Sequence, residues 1–391
     1  MMELNANILR MPNGWVEMDK HISLFSGAGG LDIGLEEAGF GPPTLRIEKD
    51  KDCYATLENN TLVNRAGSEI RWSTKNILGG VKENLLDAYR LLNVRGSYIE
   101  LISGGPPCQS FSTAGKRQAM EDDRGKLIMD FLEYVKVLQP RFFVMENVKG
   151  LRSASMKHRP LNERGNGFPP LSLLEEPGSL MNTQILPAMT DYQVMYGVLN
   201  ALDYGSPQHR ERLIFIGSRD RELPDIPIRE FVPPTKTQKI PATLMDAIGD
   251  IQEDPGEYLE YSPARKAVYE QIPAGKNWRF VRDSDQFDQD EVKKIMGGAY
   301  NSSGGRVGFW RRLSFDKWSP TLTTSPIQKA TGLCHPVQTR PLSIKEYARI
   351  QGFPDDWKFK GTLNSRYKQI GNAVPIPLGR AIGTSIKELI G

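Results

Sequence analysis

Residues 21–39 read HISLFSGAGGLDIGLEEAG, and this stretch decides the fold. The apolar run at 21–25 predicts a β-strand, and the apolar spacing from Gly30 onward predicts a helix. The glycines therefore lie at the turn between strand and helix, where open α/β sheets bind nucleotide-like ligands. The turn has neither the GxGxxG pattern nor a P-loop lysine, so a nucleoside without phosphates fits it at least as well as a dinucleotide.

The same alternation of short apolar runs with helical patterns continues through the first half of the chain. Strand-like runs occupy 98–103, 141–145 and 212–218, and apolar side chains at helical spacing occupy 125–138, ahead of Pro140. This order predicts β-α-β units and an α/β fold with a Rossmann-like, mostly parallel sheet.

A change of texture near residue 220 predicts a second, smaller and irregular domain. From there the chain is rich in Pro, Gly and Ser, with scattered aromatic residues and arginines. We expect a first domain at 1–219, a second at 220–338 and a C-terminal segment at 339–391 that returns to the first domain. The stretch 152–188 is expected to be a mobile loop insertion.

Two signals in the C-terminal segment predict helices. Ser343, with Glu346 three residues later, forms a capping box ahead of apolar residues at helical spacing. A further helical pattern follows Pro377.

Composition excludes several classes of protein. Of the 391 residues 39% are hydrophobic and 25% are charged, as in a globular protein, and no long apolar run predicts a membrane span or a secretory signal. A cytoplasmic location follows as an expectation. The cysteines Cys53, Cys108 and Cys334 are widely spaced, which argues against disulfides and a zinc site, so no metal is expected and any special cysteine would be a reactive one. The net charge of +3 does not indicate nucleic acid by itself.

Two side chains follow strands that should end at the same sheet edge. Cys108 comes after the strand at 98–103 and the prolines Pro106 and Pro107, which present it stiffly where ligands bind. Glu146 ends the strand-like run at 141–145 and could act as a general acid. Alone, Cys108 would be read as a small buried hydrophobe and Glu146 as a cap on a backbone amide; together they indicate a site.

Two other features add to this reading. Glu48 lies about 18 residues beyond the glycines, at the end of the next predicted strand, where a carboxylate can accept hydrogen bonds from both ribose hydroxyls. Arg210 and Arg212 precede and begin the strand at 212–218, and alternation places their side chains on one side of the extended segment.

In this order, and with ENV at 146–148 and QHRER at 208–212, these segments resemble the cytosine-5 DNA methyltransferase family. Segments 340–354 and 367–374 resemble its last two motifs. The resemblance implies that the first domain is catalytic and binds S-adenosylmethionine, and that the second recognises the DNA target. It also implies double-stranded DNA as substrate and a flipped cytosine, as in a prokaryotic modification enzyme that works as a monomer and can be paired with a restriction endonuclease.

The family's chemistry gives each catalytic residue a role. Cys108 would attack carbon 6 of cytosine, because carbon 5 is too poor a nucleophile until a thiolate has added to the ring. Glu146 would hydrogen-bond ring nitrogen 3 and the exocyclic amine. Arg212 would contact ring oxygen 2, and Arg210 would hold the Cys108 loop closed.

The resemblance carries over a set of cofactor-binding positions. One departs from the family pattern: Asn76-Ile77 stands where Asp-Ile commonly binds the adenine amine, although an asparagine oxygen can accept the same hydrogen bond. The full set is Phe25, Ser26, Gly27, Ala28, Gly29, Gly30, Leu31, Glu48, Asn76, Ile77, Pro107, Leu127, Asn372, Ala373 and Val374.

DNA contacts are expected in two places. The loop after Cys108 could close over DNA phosphates, and the second domain could read base edges in the major groove. The expected contacts are Ser110, Lys116, Arg117 and Arg124 in the loop and Arg306, Arg311, Arg312, Thr321 and Leu322 in the second domain. Trp310, Phe315 and Trp318 are expected in the core of that domain.

Two other functions remain open at this stage. The first is an RNA cytosine methyltransferase of the same fold, since one branch of the family acts on transfer RNA. The large variable domain favours duplex DNA, and activity on one polymer only would separate the two. A catalytically inactive DNA-binding relative is disfavoured, because such a protein has no use for a thiol at position 108.

Overall fold

The structure is a computed structural model. It describes residues 8–11, 14–17, 20–61, 74–92, 99–107, 123–219, 229–230, 240–284, 287–296, 300, 309–328 and 331–390. The chain divides into two compact units. Unit 1 comprises Met1–Asn200, Glu211–Lys236 and Gly379–Gly391, and unit 2 comprises Ala201–Arg210 and Thr237–Leu378.

The strands of the described residues are short and are numbered in chain order. They are β1 (Ile8–Met11), β2 (Gly14–Glu17), β3 (Lys20–Leu24), β4 (Leu45–Glu48), β5 (Lys75–Leu78), β6 (Ile99–Gly104), β7 (Phe142–Val148), β8 (Gln193–Asn200), β9 (Glu211–Ser218), β10 (Arg229–Glu230), β11 (Arg311–Arg312) and β12 (Leu333–Cys334).

The α-helices are numbered in the same way. They are α1 (Gly30–Glu37), α2 (Lys51–Thr61), α3 (Leu85–Leu92), α4 (Asp123–Leu138), α5 (Leu244–Ile248), α6 (Pro263–Glu270), α7 (Trp278–Arg282), α8 (Gln289–Met296), α9 (Ile344–Gln351), α10 (Leu363–Asn372) and α11 (Ile376–Ile390). Short 3₁₀ turns cover Lys82–Asn84, Lys149–Ser153, Leu161–Glu163, Pro187–Met189, Ala201–Tyr204 and Gly249–Ile251, and Met181–Ile185 is a π-helical turn.

Unit 1 is built on one sheet with the strand order β10-β8-β9-β7-β6-β3-β4-β5. Seven of these strands run in one direction, and β9 alone runs against its neighbours β7 and β8. The predicted mostly parallel α/β sheet is therefore confirmed. β1 and β2 form a separate antiparallel pair.

The central strands are buried on both faces, as the near-continuous apolar runs predict. Ile22, Leu24, Ile102, Phe143 and Met145 are fully buried in the core of the sheet. From β3 the chain builds β4 and β5 on one side and then β6 and β7 on the other. The strand order therefore reverses between β3 and β6, and ligands of open α/β sheets bind outside the carboxyl ends of the strands at such a point.

The C-terminal helix packs on α1 through glycines of α11. A Cβ at Gly379 would lie 3.2 Å from the carbonyl oxygen of Leu31, and one at Gly383 would lie 2.6 Å from Cβ of Ala38. The chain end therefore returns to the first part of the chain. The two units divide the chain differently from the predicted domains, because 339–378 and 201–210 fall in unit 2.

The expected insertion at 152–188 is only partly a loop. Its last part supplies Leu180, Met181 and Ile185 to the core of unit 1. The preceding part has little regular structure, but Arg159 there binds Glu175 with its Nη2 atom 2.6 Å from Oε2. The expectation of a loop was thus too broad at its C-terminal end, where apolar residues are too few to show a clear period.

Unit 2 has an aromatic core around the short parallel pair β11 and β12. Tyr269 and Trp310 are buried there, as was expected for Trp310, whereas Trp318 is 46% exposed and the expectation for it was wrong. The capping box predicted at Ser343 and Glu346 is present at the start of α9.

None of the helices in the described ranges combines the length and apolar composition that crossing a bilayer would require.

A buried ion pair lies beneath the glycine turn of unit 1. Arg46 Nε donates to Asp32 Oδ2 over 2.8 Å, and both side chains are at least 94% buried. Ser23 Oγ donates to the other carboxylate oxygen of Asp32 over 2.7 Å. The network thus links β3, β4 and α1, the three elements around the turn.

Replacing Arg46 by methionine should destabilise unit 1 by about 3–5 kcal/mol, because it leaves the Asp32 carboxylate buried without its cation. Urea denaturation followed by fluorescence measures the change. Arg380→Met is the matched control, because its pair with Glu37 is half exposed and should contribute at most about 1 kcal/mol. Equal losses for the two variants would contradict the assignment.

Candidate active site

The turn after β3 has an unusual backbone. Phe25, Gly27 and Gly29 all have positive φ, at 53°, 55° and 85°. The Gly29 N–H closes the turn by donating to the Ser26 carbonyl over 2.9 Å. A Cβ at Gly27 would meet nothing within 4 Å, so the turn borders open space in which a ligand can approach the backbone.

Glu48 closes one side of this space from the end of β4, as predicted. Its Oε2 accepts the Gly27 N–H over 2.7 Å, and its Oε1 accepts the Asp50 N–H over 2.7 Å. Burial raises the pKa of Glu48 above its ordinary value, while these two backbone donors act against that shift. The carboxylate is thus fixed beside the turn with lone pairs left for hydroxyl donors.

Asn76 and Ile77 lie in β5, next to β4. The Asn76 side-chain amide donates to Glu58 over 2.5 Å and to Thr61 over 3.1 Å. Its Oδ1 is enclosed and accepts no hydrogen bond within the described part of the chain. Ile77 is partly buried against the core.

The remaining cofactor positions are spread over both units. In unit 1, Pro107 is exposed after β6 and Leu127 is partly buried on α4. In unit 2, the end of α10 leaves Asn372 exposed, Ala373 partly buried and Val374 buried.

Glu146 is held at the carboxyl end of β7 by an ion pair. Arg212, at the start of β9, places Nε 2.7 Å from Oε1 of Glu146, and both side chains are largely buried. A Cβ at Gly105 would lie 2.8 Å from Oε2 of Glu146, so any larger residue there would have to displace the carboxylate from its place beside Arg212. The next side chain, Asn147, donates to the Pro106 carbonyl over 3.2 Å. The end of β7 is therefore bonded to the segment that leads into Cys108.

Arg210 lies in unit 2 and is fully buried. Its Nη1 donates to the Leu322 carbonyl over 3.0 Å, and its Nη2 donates to the Gly371 carbonyl over 2.7 Å. These bonds tie the main chain of unit 2 together. Its predicted role toward the Cys108 loop stays a prediction.

Several predicted residues lie outside the described part of the chain, namely Cys108, Ser110, Lys116, Arg117 and Arg306, and the side chain of Arg124 on α4 is also outside it. Within the described residues, no three His, Cys, Asp or Glu side chains are gathered as a metal ion would need.

Two of the predicted DNA contacts do not fit that role. Arg312 is 5% exposed, and its guanidinium donates to the carbonyls of Tyr269 and Ile272, each over 2.6 Å. Leu322 is 1% exposed. The predictions of Arg312 and Leu322 as base or phosphate contacts were therefore wrong. The sequence around them has no periodic pattern that would show which side chains are buried.

Thr321 and Arg311 remain open as DNA contacts. Thr321 is exposed and donates to the His209 carbonyl over 2.7 Å. Arg311 is partly buried, and this burial lowers its pKa from the ordinary value.

The residues around the turn fit a nucleoside that carries no phosphate. Gly27 leaves open space beside the backbone, and the fixed carboxylate of Glu48 offers acceptors to hydroxyl donors such as those of a ribose. The Oδ1 atom of Asn76 has no hydrogen-bond donor among the described residues, which fits an acceptor position once the side chain is opened to a ligand. No lysine or arginine of the turn is present to neutralise a phosphate.

Sequence reasoning missed two supporting residues. Gly105 gives way to the Glu146 carboxylate, and Asn147 binds the loop that leads to Cys108. Asn147 directly follows the predicted Glu146 and Gly105 lies two residues before the predicted Pro107, but only the geometry gives them a function.

Comparison with known proteins bears on the fold and the family. A solved structure of a DNA modification methyltransferase encoded within an Escherichia coli prophage aligns with a TM-score of 0.61 and 23% identity, over 95% of this chain and 99% of that one. A solved Spodoptera frugiperda DNMT2 mutant aligns with a TM-score of 0.57 and 15% identity, over 95% and 100%. At these identities the likeness shows the fold alone.

Sequence relatives are closer. The chain is 36% identical to the Type II methyltransferase M.PspPI of Psychrobacter sp. (strain TA137) and 36% identical to the Type II methyltransferase M.Eco47II of Escherichia coli, in each case over 94% of this chain and 79% of the relative. The family model of the C-5 cytosine-specific DNA methylases matches residues 20–166 and 180–388. The chain therefore belongs to the C-5 cytosine-specific DNA methylase family and is a DNA cytosine-5 methyltransferase.

Proposed function

We propose that this methyltransferase takes its methyl group from S-adenosylmethionine and transfers it to carbon 5 of a flipped cytosine through a covalent bond to Cys108. The observation that carries the proposal is the Glu146 carboxylate, which Arg212 holds at 2.7 Å beside the segment leading to Cys108. A buried, oriented carboxylate next to a cysteine at the edge of a parallel sheet is what addition to a pyrimidine ring needs.

The residues of this chain divide the reaction between them. The Cys108 thiolate adds to carbon 6 and pushes electron density onto carbon 5, while Glu146 hydrogen-bonds nitrogen 3 and the exocyclic amine and shares a proton with the ring. Once methylated, carbon 5 loses its proton, and Cys108 leaves as the thiolate. Arg212 orients Glu146 and contacts ring oxygen 2.

When bound, S-adenosylmethionine supplies an electrophilic methyl group on a sulfonium. The turn at 25–31 would hold its methionine end, Glu48 its ribose hydroxyls and Asn76 its adenine amine. The observed positive φ values and the carboxylate beside Gly27 support this arrangement.

Access to carbon 6 requires that the cytosine leave the base stack, because its face is covered in a duplex. The loop at 110–124, with Lys116, Arg117 and Arg124, would close over the phosphates around the flipped nucleotide. The domain at 220–338 would recognise the surrounding sequence. We further propose that the enzyme acts as a monomer beside a restriction endonuclease, in keeping with the Type II names of its relatives.

Cys108→Ala should abolish methyl transfer. Labelled S-adenosylmethionine is incubated with unmethylated duplex DNA, with transfer RNA in parallel, and the modified positions are mapped at base resolution. The wild type should label one short DNA motif and the variant none. Transfer that persists in the variant would remove Cys108 as nucleophile, and label confined to RNA would overturn the substrate.

Glu146→Gln should lower single-turnover methyl transfer by about 10²–10⁴-fold, the usual contribution of a positioned proton donor. S-adenosylmethionine binding, followed by calorimetry, should stay unchanged. Glu211→Gln is the matched control, because this neighbouring carboxylate makes an exposed pair with Lys149. Equal rates for the two variants would show that Glu146 is not in the chemistry.

The affinity for S-adenosylmethionine should fall as the pH falls through the raised pKa of Glu48. Protonation removes an acceptor for the ribose hydroxyls, so binding needs the ionised carboxylate, and each unit below the pKa should cost about tenfold in affinity. Calorimetry across mildly acidic pH measures the profile. Glu48→Gln should bind more weakly and lose this dependence; a variant with the wild-type profile would exclude Glu48 from the site.

A further inference from the structure

A recess of about 660 Å³ opens on the surface of unit 2, outside the predicted DNA contacts. It is lined by residues of the segment 275–284, among them Lys276, Arg279, Phe280 and Asp283. None of these has a part in the proposed chemistry at Cys108 and Glu146.

The backbone around the recess is firmly held. The Gly275 N–H donates to the carbonyls of Arg312 and Leu313, and the Arg312 N–H donates to the Lys276 carbonyl over 3.0 Å. Asn277 caps α7 by accepting the Arg279 N–H over 3.0 Å, and Trp278 is 4% exposed in the aromatic core. The recess is therefore a built surface rather than a gap between loose loops.

Arg279 differs from the other arginines that the structure describes in unit 2. Its guanidinium makes no hydrogen bond or ion pair within the described part of the chain, and its Nε is enclosed without an acceptor. The arginines of this unit that donate to protein oxygens are Arg210, Arg265, Arg282, Arg312, Arg340, Arg349 and Arg366. Arg279 interacts with Asp283 through its charge, but no side-chain hydrogen bond to an acceptor among the described residues holds its guanidinium.

The other lining groups indicate what that acceptor belongs to. Asp283 is held by Arg282, whose hydrogen bonds keep the pKa of Asp283 below its ordinary value, so the recess contains a carboxylate as well as cations. A DNA phosphate offers acceptors only, so it would give the Asp283 carboxylate no donor. Base edges in the major groove present both donors and acceptors, and arginine pairs most often with O6 and N7 of guanine. Phe280, 41% exposed, adds an apolar surface of the kind that meets a thymine methyl group.

We propose that this recess reads base edges of the recognition sequence, with Arg279 donating to O6 and N7 of a guanine. This rests on the proposed role of the second domain in target recognition. Lys276 lies beside Arg279 in the lining of the recess, and the ion pair of Arg282 with Asp283 holds the edge of the recess in place.

A double-mutant cycle between protein and DNA tests the proposal. Duplexes are selected by the wild-type enzyme from a random pool, which does not depend on catalysis. Each guanine of the selected motif is then replaced in turn by 7-deazaguanine, which lacks the N7 acceptor. Binding of wild type, Arg279→Gln and the control Lys294→Gln, which removes an exposed charge from α8, is measured at several salt concentrations.

At one guanine of the motif, 7-deazaguanine should lower the affinity of the wild type about 10- to 100-fold. Arg279→Gln should lower the affinity for unmodified DNA by a similar factor, and 7-deazaguanine at that position should then cause no further loss. Lys294→Gln should retain the wild-type response. A variant weakened uniformly on all duplexes, with a reduced salt slope, would make Arg279 a phosphate contact and overturn the proposal, as would unchanged binding. Absence of methyl transfer by a wild type that still selects a motif would contradict the proposed function and not this assignment.

Discussion

The direction of one strand sets the geometry on which the proposed chemistry depends. Because β9 runs against β7, its first residues lie beside the last residues of β7, and Arg212 meets Glu146 at the carboxyl edge of the sheet. A parallel strand in that place would begin at the opposite edge and would present its arginine about 20 Å away. The carboxylate is thus oriented by a partner that needs no flexible loop to reach it.

The reversal of strand order between β3 and β6 completes this edge. β3 supplies the glycine turn, and β6 supplies the segment that passes Glu146 on its way to Cys108. The turn holds Phe25 at a positive φ, a conformation that costs a non-glycine residue of order 1–3 kcal/mol and persists only where its surroundings enforce it. The buried pair of Asp32 with Arg46 lies beneath the turn and, with Ser23, joins the three elements that surround it.

Most of the sheet and its edge could be predicted from the sequence, because buried parallel strands are continuous apolar runs and turn chemistry marks their ends. The position of Glu48 at the end of β4 was predicted in this way. The role of Gly105 could not be predicted, because it depends on the position of the Glu146 carboxylate, which is distant in the sequence. In unit 2 the predictions for Arg312 and Trp318 were wrong. The arginine was expected at the surface and is buried, whereas the tryptophan was expected in the core and is exposed. Few segments of unit 2 have a periodic apolar pattern, so the local sequence does not show which side chains point into the core.

Arg312 has a consequence for how this enzyme can change. It binds main-chain carbonyls, including those of Tyr269 and His335, so the backbone of unit 2 is held by bonds that do not depend on the neighbouring side chains. Side chains at Lys276, Arg279 and Phe280 can then be exchanged without removing any of these bonds. Selection can therefore act on sequence preference and on folding stability almost separately, and an altered preference need not pass through poorly folded intermediates.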